Sequence, residues 1–146
     1  MKAGLGRMVV EDTVLIVDQD MKTRIIAEGL LRTRGRHVLG VRDGTEACDV
    51  VRCEGAAVVV LSLPSPAATS LDLLPRLRGQ LEGFPGPTPR IVVVAPEAKS
   101  EFERCALRLG ADAFLHKPAG PARFIATVEG LMVRATSHHV PGLGLP

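Results

Sequence analysis

Short apolar runs rich in β-branched residues alternate along this chain with longer stretches in which apolar residues return at helical spacing. Continuous apolar runs predict strands at 13–17, 57–61 and 90–94, the last of them with its run at 91–94, and such runs are typical of strands buried on both faces. Shorter apolar segments at 37–41 and 113–115 predict two further strands. Because the strands alternate with helices, the pattern predicts a parallel sheet with right-handed crossovers and helices on both faces, a doubly wound α/β fold.

The stretches between the strands predict five helices, over about 21–34, 45–53, 71–80, 98–109 and 121–134. Asp20 suits the amino-terminal cap of the first helix, and Gly35 suits its end. Ile25 and Ile26 are among the apolar positions that recur at helical spacing along it. Pro75 lies near the start of the third helix and is expected to kink or shorten its first turns.

One domain accounts for nearly the whole chain of 146 residues. The elements place it at 13–135, between a short leader at 1–12 and a flexible tail at 136–146. No pattern of a second domain follows residue 134, so we expect either a stand-alone protein or one domain of a longer one.

The charge balance excludes several classes of partner. The chain carries 18 basic and 16 acidic residues, a net charge of +2, which argues against a nucleic-acid or acidic-membrane binder. Arg32, Arg34 and Arg36 follow the end of the first predicted helix, where cations are favoured for local reasons. The three cysteines lack metal-ligand spacing, and no segment resembles a signal peptide or approaches the roughly 20 residues of a membrane span. We therefore expect a cytoplasmic protein with reduced thiols.

Polar and small residues follow the predicted strands at their carboxyl ends. Asp18 follows the first strand, Ser62 the third, Ala95 the fourth and Lys117 the fifth. In open parallel sheets the functional crevice lies beyond these ends. An acid and a lysine there indicate a phosphoryl-transfer pocket, but Ser62 stands where one more acid is expected.

Five segments, in order and at suitable separations, carry a family resemblance. They are Val14–Asp18, Asp43–Ala47, Leu61–Leu63 with Pro66, Gly110–Phe114 and Leu115–Pro118. Together they resemble the receiver domain of two-component response regulators, over about residues 12–134. The resemblance implies a flavodoxin-like (βα)5 fold. It also implies a carboxylate that accepts a phosphoryl group, aided by Mg²⁺ that the acceptor and an acidic pair hold.

This chain departs from the pattern implied by that resemblance at three places. Asp18 matches the first acid of the pair, but Gln19 stands at the second. Ser62 stands at the phosphoacceptor position and Ala95 at the position of the switch hydroxyl, whereas Lys117 is retained. A serine hydroxyl is a poor nucleophile unless a base activates it. We therefore expect no aspartyl phosphate and no catalytic residue.

The loss of carboxylates also bears on metal binding, because Mg²⁺ prefers hard oxygen ligands. Asp18 and Asp20 are the acids left to hold it, and Asp20 is better explained as a helix cap, so we expect weak or lost Mg²⁺ binding and no other cofactor. In place of the metal, we expect Lys117 to pair with Asp18, with a hydrogen bond between the lysine amine and Ser62. The resemblance further implies a cis bond between Lys117 and Pro118.

The resemblance also predicts a switch position and a partner surface. Phe114 occupies the aromatic switch position and, lacking a hydroxyl, is expected to be buried. The helix at 98–109, the strand at 113–115 and the helix at 121–134 would form the partner surface, with Arg104, Arg108 and Phe114 on it. For Arg104 and Arg108, an ordinary solvated helix face is the alternative.

The predicted function is a phosphorylation-independent protein-interaction module in bacterial signal transduction. Its partner would be another signalling protein or a second copy of itself, with no nucleic acid or membrane involved. Two alternatives remain open: a working phosphorelay receiver with an unconventional acceptor, and a small-molecule or anion sensor that uses the vacated pocket. An enzyme is disfavoured, because the pocket lacks a nucleophile–base pair.

Overall fold

The computed structural model describes residues 13–64, 71–82, 88–96 and 100–139, with side chains through residue 132. The predicted leader at 1–12, Pro66 and residues 140–146 of the predicted tail lie outside them. The described elements, numbered along the chain, are β1 Thr13–Val17, α1 Met21–Arg32, β2 His37–Val41, α2 Gly44–Glu54, β3 Val58–Ser62, α3 Leu73–Glu82, β4 Arg90–Ala95, α4 Ser100–Arg108, β5 Ala113–His116 and α5 Pro121–His139. No described helix is both long and apolar enough to cross a bilayer.

The strands form a single parallel sheet in the order β2-β1-β3-β4-β5. The register pairs Val14 of β1 with Val58 of β3, and Ser62 of β3 with Val94 of β4. The chain runs outward from β1 to one sheet edge and then returns through β3 to the other. This reversal confirms the predicted doubly wound fold, and it places the crevice between the carboxyl ends of β1 and β3.

The two faces of the sheet support separate cores. Leu15, Leu61 and Val93 point toward α2, α3 and α4. Ile16 and Val60 point toward α1 and α5, where they meet helix residues such as Leu31, Phe124, Val128 and Leu131. Because side chains alternate along a strand, Ser62 continues the row of Val60 and faces α1 and α5.

Helix boundaries follow local chemistry. The Asp20 side chain accepts a hydrogen bond from the Lys22 N–H at 3.1 Å, which confirms the predicted cap of α1. Gly35 adopts a φ of +80°, a left-handed conformation that costs glycine little and ends the helix as predicted. α3 begins at Leu73, two residues later than predicted, so Pro75 falls in the first turn, where no main-chain N–H is needed.

The side of α1 that faces the sheet is not the one that the spacing of Ile25 and Ile26 indicated. Ile25 and Ile26 are 56% and 63% exposed, whereas Leu31 is fully buried. Ala27 and Leu30 pack against the sheet beside Leu31, so Ile25 and Ile26 lie off the packed stripe. Apolar spacing alone did not identify which side of the helix meets the sheet. At the other end of the chain, α5 continues to His139 rather than ending near 134.

An ionic network joins elements at the amino-terminal edge of the sheet. The Asp112 carboxylate, directly before β5, accepts hydrogen bonds from Arg78 Nη2 at 2.9 Å and from the main-chain N–H of Ile91 at 2.8 Å. Arg90 lies 3.5 Å from the same carboxylate. Arg78 also donates to the main-chain oxygens of Pro89 and Gly110. One carboxylate therefore ties α3, β4 and β5 together.

Candidate functional site

The fold brings the predicted site residues to one edge of the sheet. Asp18 follows β1, Ser62 and Ala95 end β3 and β4, and Lys117 follows β5. Asp18 is 7% exposed and Ala95 is fully buried, whereas Gln19 is exposed. The predicted juxtaposition at the carboxyl edge is present, but the contacts within it differ from those expected.

The Asp18 carboxylate binds the start of α1. Its Oδ1 accepts a hydrogen bond from the Asp20 N–H at 2.9 Å, and its Oδ2 accepts one from Thr23 Oγ1 at 2.8 Å. The main-chain oxygen of Asp18 accepts a hydrogen bond from Arg24 Nη1 at 2.7 Å. Both carboxylate oxygens therefore already have a donor from within the loop and first turn of α1.

Lys117 contacts a different acceptor from the one predicted. Its Nζ donates to the main-chain oxygen of Leu63 at 3.0 Å. No ion pair within 4.0 Å joins Lys117 to Asp18 among the described residues, so the predicted Asp18–Lys117 pair with Ser62 is wrong. The physical reason is that local donors occupy Asp18, while the chain leaving β3 offers a carbonyl to the amine. The bond from Lys117 to Pro118 is cis, as predicted.

An open cleft of about 370 Å³ separates these groups; its lining includes Asp18, Gln19, Asp20, Pro64 and Lys117. The residues there fit a Mg²⁺ ion poorly. Gln19 offers only a neutral amide, and Asp20 already caps α1. Across the described residues, no group of three or more His, Cys, Asp or Glu side chains is placed to hold a metal ion.

Ser62 lines a second cavity, of about 130 Å³, between α1 and α5. Its floor is the sheet, and its walls include Leu30 and Phe124. The Ser62 hydroxyl makes no hydrogen bond to a described protein atom. The side chain at the expected acceptor position therefore faces a mostly apolar space rather than the cleft beside Lys117.

The prediction that Phe114 is buried is wrong, because its side chain is partly exposed. Its ring makes edge-to-face contacts with Phe102 of α4, at 5.6 Å between centroids, and with His116, at 5.1 Å. α4 covers one side of the ring, and His116, which is itself exposed, lies on the other. Ala95, the residue at the predicted switch position, has no hydroxyl to offer this part of the sheet.

The predicted partner surface is solvent-accessible where it is described. Arg104 and Arg108 lie one turn apart on α4 and are exposed, and Leu107 between them is 40% exposed. Phe114, on β5, is partly exposed and contacts α4 through Phe102. This combination of basic and apolar groups is compatible with an interaction surface. It is equally compatible with a solvated helix face.

Glu129 is a charged residue that the sequence did not single out. Its carboxylate contacts Arg34 at 3.0 Å and Arg36 at 3.2 Å, which joins the segment after α1 to α5. The hydrogen bond from Arg34 holds the pKa of Glu129 below its ordinary value, and the same contact raises the pKa of Arg34. The contacts span more than 90 positions, so no local pattern revealed them.

Comparison with known proteins gives a consistent result. A family model of the response regulator receiver domain matches residues 14–129. The chain is 30% identical over 120 residues to the sensory/regulatory protein RpfC of Xanthomonas campestris pv. campestris, covering 82% of this chain and 16% of that protein. It is also 30% identical over 124 residues to the response regulator MprA of Mycolicibacterium vanbaalenii, covering 84% of this chain and 51% of that one. The chain thus spans about half of one relative and far less of the other.

Solved structures share the fold. A CheY-like response regulator receiver domain protein from Methanospirillum hungatei superposes with a TM-score of 0.72 at 20% identity, covering 87% of this chain and 98% of that one. A response regulator from Thermotoga maritima gives a TM-score of 0.71 at 22% identity, covering 83% of this chain and 97% of that one. At these identities the superpositions establish the fold alone.

Proposed function

This chain belongs to the response regulator receiver family, and from that premise we propose that it is a phosphorylation-independent interaction module of two-component signalling. It acts in the cytoplasm of a bacterium without enzymatic activity of its own. Its partner is another signalling protein or a second copy of the chain, bound through the surface of α4, β5 and α5.

The missing acids and the bonding of Lys117 support the loss of phosphorylation. A phosphoryl group and its metal need several carboxylates together and a cation directed at the phosphoryl oxygens, since catalysis of phosphoryl transfer is mainly positioning and charge stabilisation. Here Asp18 is the one acid at the three expected positions, because Gln19 and Ser62 replace the others, and Lys117 binds the Leu63 carbonyl. The Ser62 hydroxyl has no hydrogen bond to a base among the described residues, and Ala95 supplies no hydroxyl to bind a phosphoryl oxygen.

Exposure to a phosphodonor tests this part of the proposal. The purified chain is incubated with acetyl phosphate and Mg²⁺, beside a receiver that is known to be phosphorylated, and both are weighed by intact mass spectrometry. We expect the control to gain one phosphoryl group and this chain to gain none. A gain that disappears in Ser62→Ala would instead establish the alternative, a working receiver with a serine acceptor.

The partner surface is tested separately. Arg104→Glu reverses a charge at the centre of the proposed surface, whereas Arg76→Glu reverses an equally exposed charge on α3. We expect Arg104→Glu to weaken the capture of a native partner, or self-association in sedimentation, and Arg76→Glu to leave both unchanged. Equal binding by wild type and both variants would contradict the choice of this surface.

A further inference from the structure

The cavity between α1 and α5 has the build of a small ligand site. Ile16, Val60 and Val94 form its floor, and all three are buried members of the core on this face of the sheet. Ala27 of α1 and Ala119 before α5 line the cavity, and each contributes only a methyl group. These short side chains leave space that larger ones would fill.

The cavity is open to solvent and has a defined size. Ile26 lines it and is 63% exposed, so the mouth lies at this side of α1. Its volume is about 130 Å³. An apolar cavity of about 150 Å³ accommodates a molecule the size of benzene. The cavity between α1 and α5 therefore has room for a ligand with a hydrocarbon part of about five or six carbons.

One end of the cavity is acidic. Asp18 lines it and is more than nine-tenths buried, yet no described cation lies within 4.0 Å of its carboxylate. The two hydrogen bonds it accepts come from neutral donors, the Asp20 N–H and Thr23 Oγ1. A carboxylate has room for about four hydrogen bonds, so two acceptor positions remain. The unbonded Ser62 hydroxyl adjoins the same space.

We propose that this cavity binds a small primary amine, with its ammonium group on Asp18 and Ser62 and its hydrocarbon body between α1 and α5. A buried carboxylate is costly without a countercharge, and an ammonium group supplies that charge together with three donors. The apolar floor and walls exclude water around the body, as in most small-molecule sites. This site reuses Asp18 and Ser62 from the altered phosphorylation pocket, but it goes beyond the proposed function and does not depend on it, because the α4 surface takes no part.

Three probes with the same carbon body test the proposal on the full chain. The probes are n-pentylamine, 1-pentanol and pentanoate, each titrated at neutral pH into ¹⁵N-labelled protein. We expect saturable amide shifts centred on Ala27, Ser62 and Ala119. The amine is expected to bind at least about tenfold more tightly than the alcohol, since the ammonium group adds an opposite charge to the hydrogen bond that the alcohol can also donate. Pentanoate is expected not to bind.

Two variants separate the head group from the body. Asp18→Asn is expected to remove the advantage of the amine over the alcohol, whereas Ala119→Leu fills the cavity and weakens the binding of both. Asp72→Asn, which removes an exposed carboxylate that does not line the cavity, serves as the matched control and is expected to bind as wild type. If Asp18→Asn does not fold, Ala119→Leu decides the outcome.

Several results would overturn the proposal. These are equal affinity for amine and alcohol, shifts centred away from the cavity, unweakened binding by Ala119→Leu, and no saturable binding of the amine. If the amine shows no saturable binding, the cavity would instead fit an apolar side chain of a partner protein. The phosphodonor experiment is unaffected by any of them, so failure of this site and failure of the proposed function are distinguishable.

Discussion

Lys117 directs its amine to the main-chain oxygen of Leu63, at 3.0 Å, and not to the carboxylate of Asp18. The two charged groups retained at the carboxyl edge therefore act on different parts of the fold. Asp18 holds the loop after β1 and the first turn of α1, while Lys117 joins the end of β5 to the end of β3.

A double-mutant cycle should find no coupling between these two residues. We expect the changes in unfolding free energy of Asp18→Asn and Lys117→Met to add within about 0.5 kcal/mol, since independent sites are additive. The cycle of Asp18→Asn with Thr23→Val serves as the positive control, because the Thr23 hydroxyl contacts the carboxylate directly. Coupling above about 1 kcal/mol between Asp18 and Lys117 would show that they pair in solution.

Restoring the acid at the acceptor position alone should not restore phosphorylation. Ser62→Asp leaves Gln19 in place of a metal ligand and Ala95 in place of the switch hydroxyl. We expect no gain of a phosphoryl group with acetyl phosphate and Mg²⁺, by intact mass. The matched variant adds Gln19→Asp and Ala95→Thr to Ser62→Asp, and only this triple variant is expected to bind Mg²⁺. Normal phosphorylation of the single variant would mean that the site retains more function than we propose.

The Glu129 contacts predict a pH-dependent contribution to stability. Because hydrogen bonding to Arg34 lowers the pKa of Glu129, folding favours the ionised form. The stabilisation is complete above the ordinary pKa of 4.5 and is lost as the pH falls through the lower pKa of the folded state. Glu129→Gln should cost roughly 0.5–1 kcal/mol at neutral pH, as for other exposed pairs.

Urea denaturation of wild type and Glu129→Gln across the acid range measures this difference. The difference in unfolding free energy between wild type and Glu129→Gln should become smaller in the most acidic samples. Glu101→Gln, an exposed residue in the first turn of α4 without a described ion pair, is the control and should show a smaller gap, from the helix dipole alone. A gap that stays constant into acid would mean that the ionised carboxylate is not the source of the stabilisation.

The Asp112 network predicts a larger loss. Asp112→Ala leaves Arg78 and the Ile91 N–H without their acceptor at a partly buried position. We expect a loss of about 2–3 kcal/mol in unfolding free energy, because hydrogen bonds to charged groups are the stronger ones. Asp72→Ala removes an exposed carboxylate whose pair is at 3.9 Å, and it should cost less than about 0.5 kcal/mol. Similar losses for both variants would contradict the structural role of Asp112.

The cysteines should react with a thiol reagent in an order set by burial. Burial raises the pKa of Cys48, which lowers its thiolate fraction, and its Sγ also donates to Gln80 Oε1 at 2.7 Å. Cys53 is exposed. Labelling of the native protein with a chromogenic disulfide should therefore modify Cys53 first and Cys48 only on unfolding. A Cys53→Ala variant that still reacts rapidly at Cys48 would contradict this order.

The sequence was sufficient for the fold because the relevant patterns are local and strong. The continuous apolar run at 13–17 forms β1 with the predicted boundaries. Asp20 caps the start of α1 and Gly35 follows its end, as predicted. The strand ends then placed Asp18 and Lys117 at one edge, because parallel strands share their direction.

Contacts within the site were not predictable to the same degree. The position of Lys117 follows from the strand, but its partner depends on a main-chain carbonyl of Leu63, which no residue type reveals. The exposure of Phe114 and Ile26 depends on where α4 lies over the sheet and on which side of α1 faces it. Long-range packing decides such contacts, and a single sequence does not record it.

The Asp112 network lies at the amino-terminal edge of the sheet, opposite the candidate site. Ionic and main-chain bonds fasten α3, β4 and β5 there, whereas the carboxyl edge is held by a few separate hydrogen bonds. Opening fluctuations should therefore start at the carboxyl edge and exchange amide protons there first. The loops at the carboxyl edge are then free to diverge in sequence while the opposite edge preserves the strand order.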